Sequence, residues 1–62
     1  MDEKELKKEY AKLKRAAVEL AGEVHDIVED TLWVKYGELP RLSAKIVEAV
    51  TEAEAFKARH GL

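Results

Sequence analysis

No cysteine occurs in the 62 residues, and there are only two histidines, one proline, three glycines and one tryptophan. Without cysteine there is no disulfide and no thiolate metal site, and the redox compartment stays open. Two histidines are too few for a structural zinc site within one chain. No uninterrupted apolar run approaches the roughly 18 residues of a membrane span. The opening "MDEKELKKEY" lacks the apolar core of a secretion leader, so a cytoplasmic location without membrane contact is expected. Catalytic signatures are missing too: there is no glycine-rich phosphate loop and no nucleophile with a nearby base. The sequence therefore reads as non-enzymatic and calls for no cofactor.

A chain this short buries only about 60% of its extended surface on folding. Small scaffolds offset that with disulfides, a structural metal or association. Association is the device left. What the chain does hold is charge and helix formers: 39% of residues are charged and 47% hydrophobic, with a net charge of −2. Such a composition suits a helical bundle, and so small a net charge exerts no general pull on nucleic acid or anionic lipid.

Leu6, Tyr10, Leu13, Ala17, Leu20, Val24 and Ile27 follow one another at alternating steps of four and three. That is the heptad seam of packed helices. Leu42, Ile46, Ala49, Ala53 and Phe56 repeat the pattern, with His60 at the next step. Between the two series lies "TLWVKYGELP", where Gly37 can end one helix or cap the next, and Pro40 suits a first helical turn. The expected organisation is a single all-α domain over residues 1–62. Helix 1 spans about 3–31, a turn about 32–37 and helix 2 about 38–60. A short turn makes the helices antiparallel neighbours, with Val24 near Val47, Ala17 near Ala53, Leu13 near Phe56 and Tyr10 near His60.

The apolar surface is wider than one seam. Val18, Ala21, Val28 and Leu32 flank the first series, and Val47 and Val50 flank the second. A single hairpin covers only one seam per helix, and large uncovered patches mark interfaces. A homodimer forming a four-helix bundle is expected, with the two series as its core.

Charge is unevenly placed. Residues 1–15 carry six bases and four acids; residues 16–34 carry five acids and no base; residues 35–62 carry five bases and four acids. The central acids are Glu19, Glu23, Asp26, Glu29 and Asp30, and acids near a helix C-terminus oppose its dipole. In the simpler reading the belt faces helix 2, with Arg41 approaching Glu29 or Asp30 and Lys45 approaching Asp26. In the sharper one, His25, Asp26, Glu29 and Asp30 form a recognition surface for an unidentified protein partner. Val24, Ile27 and Val28 then face inward, and Trp33 or Tyr36 serves as apolar anchor. The two aromatics can equally plug the bundle end. A metal held by His25 and Glu29, four residues apart on one face, is a weaker alternative. His25 borders the apolar face and is expected to be partly buried beside an acid.

Basic residues Lys4, Lys7, Lys8 and Lys12 along helix 1 raise RNA binding by a dimer as the alternative function. Glu3, Glu5 and Glu9 interleave with them, and no free aromatic is at hand, so nucleic acid is disfavoured as a partner.

The chain resembles the Rop-like family of short bacterial proteins encoded among nitrogen-fixation genes. The resemblance covers about residues 6–50, through "LKKEYAKLKRAA", "EVHDIVED", the aromatic-containing turn ending "YGELP", and "RLSAKIVEA". Its most specific part is an aliphatic-flanked His25-Asp26 pair followed by Glu29, then Tyr36 shortly before Leu39-Pro40. Val24 stands where leucine is usual, and Thr31-Leu32 makes the segment before the turn one residue longer. The resemblance implies a two-helix chain that dimerises into a four-helix bundle. It also implies an accessory role in nitrogen fixation, in nitrogenase assembly or regulation. It supplies no reaction.

Overall fold

The computed structural model describes residues 2–62. Asp2 starts the first helix: its Oδ1 accepts from the Glu5 backbone N–H at 2.9 Å. This satisfies one of the donors that a helix start leaves without a partner. Glu3 and Glu5 place negative charge at the positive end of the dipole. Helix α1 runs Glu3–Asp26, and the chain stays helical beyond it. A π-helical turn, Ile27–Thr31, leads into the short α2, Leu32–Lys35, then a 3-10 turn at Tyr36–Glu38, and α3, Leu39–His60.

The segment expected to be a turn at about 32–37 is therefore built from short helical pieces. Gly37 neither ends nor caps a helix by left-handed geometry, because the reversal winds through right-handed turns; among the described residues only Gly61 has positive φ. Pro40 sits in the first turn of α3, where its missing N–H breaks no helical bond. A π turn accommodates one residue more than the α ladder. It falls where the resemblance counts one residue too many. At the far end Gly61 adopts φ 65°, and Leu62 N–H donates to the Lys57 carbonyl at 3.0 Å. That bond closes α3 in a Schellman motif, with Lys57, Arg59 and His60 at the negative end of its dipole.

Helices α1 and α3 pack lengthwise as a hairpin. Ile27, Leu42 and Ala53 are buried at their junction. Leu6, Tyr10, Leu13, Ala17, Leu20 and Val24 of α1 are half-buried, as are Ile46, Ala49 and Phe56 of α3. The Phe56 and His60 rings meet at 4.5 Å, tilted by 51° and one turn apart on α3. Lys14 Nζ lies 4.6 Å from the centre of the Tyr10 ring, so its stem covers part of an otherwise wet aromatic.

The hairpin measures 47 × 16 × 11 Å. Its smallest dimension is the width of one helix, so the chain has a single layer where stable domains have at least two. The radius of gyration, 14.3 Å, exceeds the roughly 11 Å of a globular chain of this length. The valine flanks are consequently uncovered: Val18 is 68% exposed and Val47 65% exposed, and Val28 and Val50 are exposed as well. Val28, expected to face inward with Val24 and Ile27, points out of the hairpin.

These residues share one side. Along α1, Glu23 and Asp30 flank the seam on one edge, and Ala21 and Val28 on the other, as helical spacing requires. Along α3, Lys45 and Glu52 flank one edge, and Ser43 and Val50 the other. Glu23, Asp26 and Asp30 share a groove with Glu38 and Arg41, and Leu20 shares another with Lys45 and Glu52. The charged edges thus lie together on one face of the hairpin. The valines share the opposite face.

Gly22 lies exposed in the middle of α1, and a Cβ built there meets nothing within 4 Å. Gly22→Ala should therefore stabilise the fold by roughly 0.5–1 kcal/mol through helix propensity and reduced unfolded-state entropy. Thermal melting monitored by circular dichroism checks this, with a higher midpoint expected.

Candidate functional site

The unusual chemistry concentrates at the closed end of the hairpin, where the π turn joins α1 to α2. The six residues expected to meet a partner fall there into three neighbouring groups. His25 and Glu29 form the first, one helical turn apart, with His25 Nε2 at 2.9 Å from Glu29 Oε2. Asp26 is farther, with its Oδ1 at 3.8 Å from His25 Nδ1, too long for a hydrogen bond. His25 is exposed, contrary to the partial burial expected of it. It sits outside the seam, and a single-layered hairpin offers nothing to cover that edge.

Asp26 and Asp30 belong to the second group. They line an open groove of about 560 Å³ between the π turn and the start of α3, together with Glu23, Lys35, Glu38 and Arg41. Four acids face two bases there. One of those bases is committed locally: Arg41 Nη2 donates to Glu38 Oε1 at 2.8 Å. The expected approaches of Arg41 to Glu29 or Asp30, and of Lys45 to Asp26, are absent among the described residues. Among the described residues every ion pair instead joins near neighbours on one helical stretch. A side chain three positions away costs little order to engage, and an exposed pair across helices gains little in return. The acidic belt is left without the cross-helix cations that would have neutralised it.

The third group is apolar. Leu32, Trp33 and Tyr36 enclose a groove of about 350 Å³. Trp33 is 90% exposed and Val34 84%, and Tyr36 is exposed too. The plug reading for the two aromatics is therefore not what a single chain does with them. Tryptophan is ordinarily among the most covered side chains, so an uncovered one beside further uncovered aliphatics is informative.

Leu32, Val34, Lys35, Glu38 and Glu23 contribute to these surfaces and were not singled out as site residues from the sequence. Val34 carried a readable signal. The four-three series through Val24 and Ile27 continues to Thr31 and then Val34 in an unbroken helix. Thr31 is half-buried, but Val34 is not.

The described residues hold no group of three or more histidine, aspartate or glutamate side chains able to bind a metal. His25 and Glu29 remain two donors without a third. No helix among the described residues is long and apolar enough to cross a membrane.

Compared with known proteins, the chain matches the Rop-like family over residues 1–60. It belongs to that family. No curated protein and no solved structure gives a significant match. The chain is a small all-helical member of that family.

Proposed function

We propose that this Rop-like chain is a non-catalytic accessory protein of the cytoplasm. It acts as a homodimeric four-helix bundle that holds another protein at the closed end of each hairpin. The observation that carries this reading is the uncovered aromatic end, Trp33 and Tyr36, set directly after an acidic belt with few cations. Aromatic anchors beside complementary charge are what protein interfaces use for affinity and for rate of capture. His25, Asp26, Glu29 and Asp30 supply the polar part of that surface. The valine face supplies the dimer, with Leu6 through Ile27 and Leu42 through Phe56 as the bundle core.

The process we propose is nitrogen fixation, as an aid to nitrogenase assembly or regulation. Its support is the motif resemblance alone: His25-Asp26 with Glu29, then Tyr36 ahead of Leu39-Pro40. A genome without nitrogen-fixation genes would end that assignment. Recovery of nitrogenase or its assembly factors with the tagged protein would strengthen it.

RNA binding by the basic residues of α1 is the weaker reading. Lys7 Nζ is engaged by Glu3 Oε1 at 3.2 Å, and interleaved acids dilute the rest. Salt-dependent binding of structured RNA, lost when Lys8 and Lys12 become alanine, would reverse this order.

The belt is tested by Asp26→Asn combined with Glu29→Gln. Both residues are exposed, so helicity and dimerisation should be nearly unchanged. Capture of the partner should weaken, and more so at low salt, where charge acts farther. Unfolding of this double variant would show that the belt is structural.

A further inference from the structure

The π turn changes what the end of the hairpin presents. Each residue of an α-helix turns the chain by about 100°, so one extra residue rotates everything after it by that amount. Without the π turn, the seam through Ile27 would continue to Thr31 and Val34. With it, Val34 leaves the seam, and Leu32, Trp33 and Tyr36 open a groove outside the hairpin. Three uncovered aliphatic and aromatic residues in succession, Leu32 to Val34, are no accident of a ragged loop. They sit on regular helix immediately after the turn that displaces them.

We infer that the groove of Leu32, Trp33 and Tyr36 receives the apolar side of a cationic amphipathic helix from another protein, and that the π turn aims it there. The inference rests on reading the chain as an interaction protein, and it names the chemistry of the partner. Charge decides among the occupants. Residues 23–38 carry five acids and a single lysine. Nucleic acid and anionic membranes are repelled by that field, and so is the matching end of a second copy. The basic, open end of a second copy would fit only head to tail, a contact that does not close and grows into filaments. A helix with lysine or arginine along one side and aliphatics along the other meets both features at once. Its apolar side enters the groove, and its cations approach Glu29 and Asp30, which lie about one turn before Trp33 and Val34.

Trp33 is the only tryptophan and reports its own surroundings. The whole chain is titrated with a synthetic amphipathic helix of lysine and leucine, the same helix with glutamate for lysine, and a lysine-only peptide of equal length. The lysine–leucine helix should move Trp33 emission to shorter wavelength and saturate. The glutamate version should leave it unmoved, and the lysine-only peptide should bind at least about tenfold more weakly. By calorimetry, Trp33→Ala should lower affinity about 30-fold, the scale of a hot-spot loss of roughly 2 kcal/mol.

Equal binding of the lysine-only peptide would overturn the inference, since charge alone would then suffice. So would full affinity in Trp33→Ala. An emission shift driven by protein concentration alone would assign the groove to a second copy and overturn it as well. Partner capture that needs Trp33 but no response to the lysine–leucine helix would remove this inference and leave the accessory reading standing. Partner capture indifferent to the belt and to Trp33, beside a normal peptide response, would remove that reading only.

Discussion

Leu42→Ala should unfold most of the protein under conditions where the parent chain is folded. Leu42 is 5% exposed and borders the same junction as Ile27, where α3 meets the end of α1. Truncating a buried leucine removes its transfer energy and leaves a cavity, at a cost of about 2–5 kcal/mol. Domains below roughly 70–80 residues seldom hold more than about 3–5 kcal/mol of stability from one core. The loss is therefore comparable with the whole. Val34→Ala is the matched control, since it also shortens an aliphatic but at an uncovered position, and should change stability by no more than about 0.5 kcal/mol. Urea titration followed by circular dichroism distinguishes the two. Equal midpoints for both variants would mean that the junction of Ile27, Leu42 and Ala53 is not the core of the fold.

Val18→Glu together with Val47→Glu separates the single hairpin from its pair. Both positions are roughly two-thirds exposed in one chain. If the hairpin acts alone, each change is an ordinary surface substitution, worth about 0.5 kcal/mol or less. If the valine face is covered by a second copy, four like charges enter an apolar interface, and Lys14 and Arg15, one turn before Val18, are too few to offset them all. Burying unpaired charge costs several kcal/mol per group. Dimer affinity should then fall by about a thousandfold or more, the equivalent of roughly 4 kcal/mol. Helicity should fall with it and become dependent on protein concentration, because one layer of two helices has little core of its own. A variant that keeps full helicity and the mass of the parent would show that the valine face is not an interface.

The helical hairpin was legible because heptad spacing is a geometric property that tertiary contacts preserve. Leu6 to Ile27 and Leu42 to Phe56 mark the inward edges of the two long helices by their spacing alone. The valine flanks were legible for the same reason, since Val18 and Val28 are displaced from the seam by fixed angles. The closed end was not. A π turn has no composition of its own, and only the extra residue at Thr31-Leu32 hinted that the helix changes pitch there. Its consequence, that Val34 leaves the seam and α2 replaces a loop, depends on backbone geometry that periodicity cannot report.

Charge was legible as a pattern and illegible as pairing. The concentration of acids around His25 is visible by counting. Arg41 binding Glu38 instead of the belt follows from distance and side-chain order, both set by the particular helical path through Tyr36–Glu38. His25 was misjudged for a related reason. Its position beside Val18, Ala21 and Val28 implied cover, but cover on that edge has to come from another molecule.

The four-helix bundle requires that the valine face meets a second copy. Sedimentation equilibrium of the unmodified chain at micromolar concentration tests this directly. The expected mass is twice that of the 7.0 kDa chain, together with full helicity. A folded species of 7.0 kDa, helical and unchanged on dilution, would contradict it.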